Sequence, residues 1–169
     1  MTTRKNIRLQ DHDYSRNGAY FVTICTKDRQ CLFWKDYDLI PCVGAHSVRP
    51  HGKIRLSQIG LSVKESFRII MEYYPMVRVE KYVIMPNHIH AIIRIDSQAT
   101  GTVTAGRTEC APTLSQIIKN FKENVTRKCG FHVWQRSFYD RVIRNEDEYA
   151  AYWRYIENNP INWENDDYY

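Results

Sequence analysis

The stretch YVIMPNHIHAIIRI, residues 82–95, restricts the fold more than any other part of the chain. Two apolar, β-branched runs flank Pro86-Asn87, which reads as a turn between neighbouring strands. Strand side chains alternate between faces. Ile89, Ala91, Ile93 and Ile95 therefore share one face and need a covering layer, while His88, His90, Ile92 and Arg94 share the other. Two imidazoles on so apolar a strand need something to offset their burial. Side by side, their ring nitrogens can bind one metal ion or a phosphate. The alternative is two polar residues on a half-exposed strand.

The flanking pattern supplies the covering layer. AYFVTICT (19–26) reads as a strand. SQIGLSVKESFRIIMEYYP (57–75) reads as a helix with Ile59, Val63, Phe67, Ile70 and Tyr74 on one face, stopped by Pro75. VRVEKYVIMP (77–86) and HIHAIIRI (88–95) are the next two strands. TLSQIIKNFKENVTRKCG (113–130) has capping-box spacing at Thr113 and Gln116, a stripe of Leu114, Ile117, Ile118, Phe121 and Val125, and a terminal Gly130. Its outer face carries Lys119, Lys122, Arg127 and Lys128. HVWQRSFYDRVIR (132–144) reads as a long strand, and EDEYAAYWRYIENN as a third helix capped by Asn145 and halted by Pro160. Strand, helix, strand, strand, helix, strand predicts an α+β, ferredoxin-like βαββαβ sandwich with an added C-terminal helix. DLIPCV and KIRLS are candidate small flanking strands. The expected organisation is a single domain over 1–169, with an N-terminal arm (1–18), loops near 41–52 and 97–112, and an acidic tail (164–169).

Two histidines alone make a poor metal site, so a third group must come from elsewhere. On the last helix Tyr155 and Asn159 are one turn apart, with Tyr152 nearby. Tyr149, Trp153 and Ile156 form a stripe that can pack that helix onto the open sheet face. Asn159 could then reach a metal, and the Tyr155 hydroxyl whatever the metal holds. Equally, Tyr155 could be a packing aromatic and NNP only a helix stop.

The formal charge is +5, and the last six residues hold three acids and no base. A basic body points weakly to a polyanionic partner. Five scattered cysteines without a CxxC read as reduced cytosolic thiols. MTTRKNIRLQ has no apolar h-region, so no secretory signal is expected. No apolar run approaches the roughly 20 residues of a membrane span.

YVIMPNHIHAIIRI, WQRSFYDRVIRNEDEY, YIENNP and the leading RKNIRLQDHDYSRNGAYFVTICT together resemble the REP-associated tyrosine transposases, of the single-tyrosine branch of the HUH superfamily of single-strand DNA nucleases. The resemblance runs from about Arg4 to Tyr169 and is weakest in the loops around 41–52 and 97–112. It implies that His88 and His90 bind the metal, that Tyr155 is the nucleophile, and that Asn159 is the third ligand. It also implies Mg2+ or Mn2+ as cofactor, although two imidazoles suit Mn, Zn or Ni better than Mg by ligand softness. The implied substrate is single-stranded DNA beside palindromic hairpins.

Single strands offer phosphates and unpaired bases. Arg94, Arg136, Arg141 and Arg144 are candidate DNA contacts, with Trp134, Phe138 and Tyr139 interleaved among the last three; an ordinary edge strand with solvated charges is the other reading. Arg4, Lys5 and Arg8 are candidates to hold a hairpin stem. A cytoplasmic, nucleoid-associated enzyme is expected. A non-catalytic hairpin-binding regulator and a hydrolase of small phosphodiesters are the competing readings. The short connection from Arg144 to Asn145 favours a tyrosine helix kept by its own subunit and a monomer, with a dimer still open.

Overall fold

A computed structural model of the chain describes residues 17–35, 55–96 and 112–165. The elements are β1 (Gly18–Cys25), α1 (Gln58–Tyr73), β2 (Val77–Ile84), β3 (His88–Ile95), α2 (Leu114–Cys129), β4 (Tyr139–Ile143) and α3 (Glu146–Asn158). A 3-10 turn, Lys27–Arg29, follows β1, and a 3-10 segment, Asn159–Asn165, follows α3. The four strands form one antiparallel sheet in the order β2-β3-β1-β4. That is the expected sandwich: each βαβ half crosses over one face and leaves its partner strand between.

Alternation decides the layers. Ile89, Ala91, Ile93 and Ile95 join Tyr20, Val22 and Ile24 of β1 in the main core, under α1 and α2. The α2 stripe of Leu114, Ile117, Ile118, Phe121 and Val125 is buried there. Phe67 of α1 stacks on Phe121, ring centroids 4.6 Å apart. Thr113 caps α2 by accepting from Gln116 N–H, and Gly130 ends it at φ 75°, a left-handed conformation that favours glycine. The opposite face holds a smaller cluster: Ala19, Phe21, Ile92 and Ile156, with Tyr149, Tyr152 and Trp153 packed on it.

The start of α1 is pinned to the chain after β1. Ser57 caps the helix, its hydroxyl donates to the Leu32 carbonyl at 2.6 Å, and its N–H donates to the Phe33 carbonyl at 2.8 Å. A Cβ at Gly60 would lie 2.3 Å from that Phe33 carbonyl oxygen. Gly60→Ala is therefore expected to destabilise the fold by about 1–3 kcal/mol through overpacking against backbone. A urea midpoint equal to wild type would contradict this close approach.

One expected element differs. The long strand over 132–144 is a strand only at Tyr139–Ile143, with one isolated bridge pairing Thr26 and Trp134. Lys122 Nζ donates to the Gln135 and Ser137 carbonyls, and Trp134 Nε1 donates to the Lys122 carbonyl, so this segment is tied to α2 as well as to the chain beyond β1, where Lys27 N–H donates to the Val133 carbonyl and Gln135 N–H to the Cys25 carbonyl. Lys122 thus does not simply extend from the outer face of α2. Pro160 ends the third helix as expected, α3 stopping at Asn158, and the chain then continues as 3-10 turns to Asn165. Within KIRLS, Leu56 makes an isolated bridge with Trp34. DLIPCV, the loops near 41–52 and 97–111, Arg4, Lys5 and Arg8 lie outside the described residues.

Candidate active site

His88 and His90 lie on the open face of β3 and are 0% and 1% exposed. Their Nε2 atoms are 3.0 Å apart. His88 Nδ1 is 2.8 Å from Asn87 Oδ1, and His90 Nδ1 is 2.8 Å from the hydroxyl of Thr23, its cross-strand partner. The Asn87 oxygen only accepts, so His88 carries its proton on Nδ1 and turns the Nε2 lone pair towards His90. The Thr23 hydroxyl can donate or accept, so it serves either tautomer of His90. Between them the two Nε2 atoms can share a proton or hold a cation. Burial holds the His88 pKa down at about 3, with the charge of Arg29 adding to it, so His88 stays in the neutral form that ligates metals.

The donor set fits a divalent ion. With each imidazole about 2.0–2.1 Å from the metal, nitrogens 3.0 Å apart subtend roughly 90° at it. Both rings are already oriented through their outer nitrogens, as metal-bound histidines are. Among the described residues no third His, Cys, Asp or Glu joins them. Asn159 is buried and lies on the chain between Tyr155, whose ring packs against His90, and Trp163, whose ring packs against His88. Thr23→Val removes the acceptor that His90 needs when its Nε2 binds metal. It is expected to weaken Mn2+ binding about 10–100-fold by titration calorimetry; unchanged affinity would contradict that role for Thr23.

Tyr155 comes to the pair on α3. Its hydroxyl is 3.4 Å from His90 Nε2, and the residue is 42% exposed, so the phenol is neither entombed nor turned away. The helix is held to its own sheet along its length. Tyr152 stacks on Phe21 at 4.4 Å, Tyr149 donates to Glu80 at 3.0 Å, and Lys81 pairs with Glu157 at 3.4 Å while its ammonium lies 4.6 Å from the Trp153 ring centre. The register of β2 shifts at Glu80, and Arg94 Nε donates to that carboxylate at 2.6 Å. Arg94 therefore anchors the start of α3 through Glu80, at the end of β3 away from the histidines.

The other candidate cations scatter. Arg136 is exposed in the segment tied to α2, and Arg144 is exposed between β4 and α3. Arg141 and Tyr139 lie on the edge strand opposite Phe21 and Thr23, hence on the open face with the histidines. The interleaved aromatics do not form one groove: Trp134 is buried and Phe138 packs on the main core, while Tyr139 is exposed. Thr23, Asn87 and Trp163 complete the site unannounced. Asn87 adjoins His88 in sequence, but Thr23 emerges only from the β1–β3 register, and Trp163 only from the chain's path beyond Pro160.

Comparison with known proteins agrees with this architecture. The family described as "Transposase IS200 like" matches residues 49–159, a span that includes His88, His90, Tyr155 and Asn159. An uncharacterized protein of Haemophilus influenzae is 36% identical over 180 residues, covering 98% of this chain and 93% of that protein. A second protein of that organism, named "Putative REP-associated tyrosine transposase", is 24% identical over 152 residues, covering 88% of this chain and 73% of its own. The solved structure of a REP-associated tyrosine transposase bound to a REP hairpin shares the fold, with TM-score 0.60 at 18% identity, covering 92% of this chain and 74% of that one. The chain belongs to the IS200-like transposase family.

Proposed function

We propose that this transposase cuts and rejoins single-stranded DNA beside palindromic hairpins through a covalent link to Tyr155. The observation that carries the reading is the half-exposed Tyr155, its hydroxyl 3.4 Å from Nε2 of His90 in a buried histidine pair whose Nε2 atoms converge. A divalent cation, Mg2+ or Mn2+, held by His88, His90 and Asn159 would supply Lewis-acid polarisation of the scissile phosphate. The chain supplies the rest. Thr23 and Asn87 keep the imidazoles in ligating orientation, Phe21 and Ile92 seat α3, and α3 presents the phenol. Tyr155 loses its proton and attacks phosphorus; the bond to the 3′ oxygen breaks, and that oxygen leaves as a hydroxyl. A 5′-phosphotyrosine remains. Because a phenol is a fair leaving group, another 3′-OH can reverse the step and join a new strand.

Support for the DNA partner comes from the related transposase solved with a REP hairpin and from Arg141 and Tyr139 on the same face as the site. Among the described residues no helix is long and apolar enough to cross a membrane. The helix that carries Tyr155 packs on its own sheet, which supports a site complete within one subunit and a monomer.

The test is a hairpin oligonucleotide with a single-stranded flank, labelled on the 3′ side of the cut and incubated with Mg2+ or Mn2+. A label that stays with the protein through denaturation supports the reading. Turnover without an adduct points to hydrolysis, and hairpin binding with neither outcome points to a regulator.

A further inference from the structure

We propose that the basic cavity beside the histidine pair binds one unpaired nucleotide of the DNA strand, base and phosphate together. The cavity measures about 730 Å³, inside the roughly 300–1,000 Å³ range of small-molecule sites. It lies between the second half of α2, the 3-10 turn after β1 and the segment that precedes β4. Lys27, Arg29, Lys122, Arg127 and Arg136 line it, against the carboxylates of Asp28 and Glu123. That excess of cations suits a phosphate. The aliphatic stems of the long cations give it an apolar surface against which a base can lie.

The cavity begins just beyond the end of β1 that pairs with His88. Cys25 pairs with His88 across the sheet, and the next residue, Thr26, donates its N–H to the Asn87 carbonyl at 2.8 Å. Lys27, where the cavity begins, donates its N–H to the Val133 carbonyl at 2.9 Å. Arg29 belongs to both places, since it lines the cavity and its charge reaches His88. The cavity and the histidine pair thus lie at the same end of the sheet, a few residues apart along β1.

The walls are built, not incidental. Lys122 Nζ holds the Gln135 and Ser137 carbonyls at 2.8 and 2.7 Å, and Trp134 Nε1 holds the Lys122 carbonyl at 3.2 Å. Gln135 N–H donates to the Cys25 carbonyl at 3.0 Å, which fixes the same segment to the end of β1. Asp28 and Arg29 both adopt φ 54°. Left-handed backbone at non-glycine residues costs about 1–3 kcal/mol each and tends to persist where function needs it.

The proposal rests on the strand-cleavage reading only for the class of its ligand. The experiment places 4-thiothymidine at each position of the single-stranded flank in turn, irradiates the complex with wild-type protein and maps the cross-linked peptides. The Tyr155 adduct is scored in the same samples. The expected result is cross-linking to residues 122–136 from one or two adjacent positions. In parallel, the Arg127→Glu/Arg136→Glu double variant should lose about tenfold or more in affinity for the flanked hairpin and less than about twofold for the hairpin alone. Cross-links that map only elsewhere, or equal weakening of both oligonucleotides, would overturn the proposal. Cross-links in the cavity without a Tyr155 adduct would instead sink the cleavage reading and leave the nucleotide site standing.

Discussion

Tyr155→Phe is expected to abolish covalent capture of a hairpin substrate and to lower strand cleavage by on the order of a thousandfold or more, the scale seen when a nucleophile is removed. The substitution deletes one oxygen. The ring still packs edge-on to Phe21 at 5.8 Å and to His90 at 5.1 Å, and the residue is already 42% exposed. Stability should therefore stay within about 0.5 kcal/mol of wild type, and hairpin affinity should be nearly unchanged. Tyr152→Phe is the matched control. Tyr152 stacks on Phe21 one turn earlier on α3, so losing its hydroxyl should leave adduct formation intact. Denaturing gels separate the two variants; equal adduct yield from Tyr155→Phe and wild type would end the assignment.

His90→Ala is expected to weaken Mn2+ binding by more than about 100-fold, beyond the loss from removing an outer partner such as Thr23. Adduct formation should fall with it. The imidazole is central to the site: its Nε2 faces both His88 Nε2 and the Tyr155 hydroxyl, and its Nδ1 meets Thr23. Its removal leaves the buried Thr23 hydroxyl and the inner nitrogen of His88 without that partner, which costs about 1–3 kcal/mol of stability. Titration calorimetry with Mn2+ on folded protein, checked by circular dichroism, gives the ratio. Wild-type Mn2+ affinity in His90→Ala would remove the histidine pair from the metal site.

Most of this frame was legible because it depends on alternation and helical periodicity. The two faces of His88–Ile95, the stripe on α2 and the caps at Thr113 and Asn145 follow from local rules and stand in the structure. What escaped depends on contacts between distant segments. Thr23 reaches His90 only because β1 pairs with β3 in one particular register, and no local pattern fixes register. Arg94 reads as a DNA contact on its strand, and its pairing with Glu80 at a shift in β2, which ties it to the start of α3, depends on a partner no local pattern names. Residues 132–138 have strand-like composition, yet only a short stretch around Trp134 pairs with the chain beyond β1, and the ammonium of Lys122 takes the Gln135 and Ser137 carbonyls. Trp163 lay beyond a proline read as a stop, although a 3-10 continuation needs no α-helical bond there.

The account comes down to one bond, between the phenolic oxygen of α3 and a DNA phosphorus above the buried imidazoles. Tandem mass spectrometry of the nuclease-trimmed adduct tests it directly. The account predicts a nucleotide linked through its 5′ phosphate to Tyr155. Attachment at Tyr152 or any other residue, or a linkage through a 3′ phosphate, would contradict it.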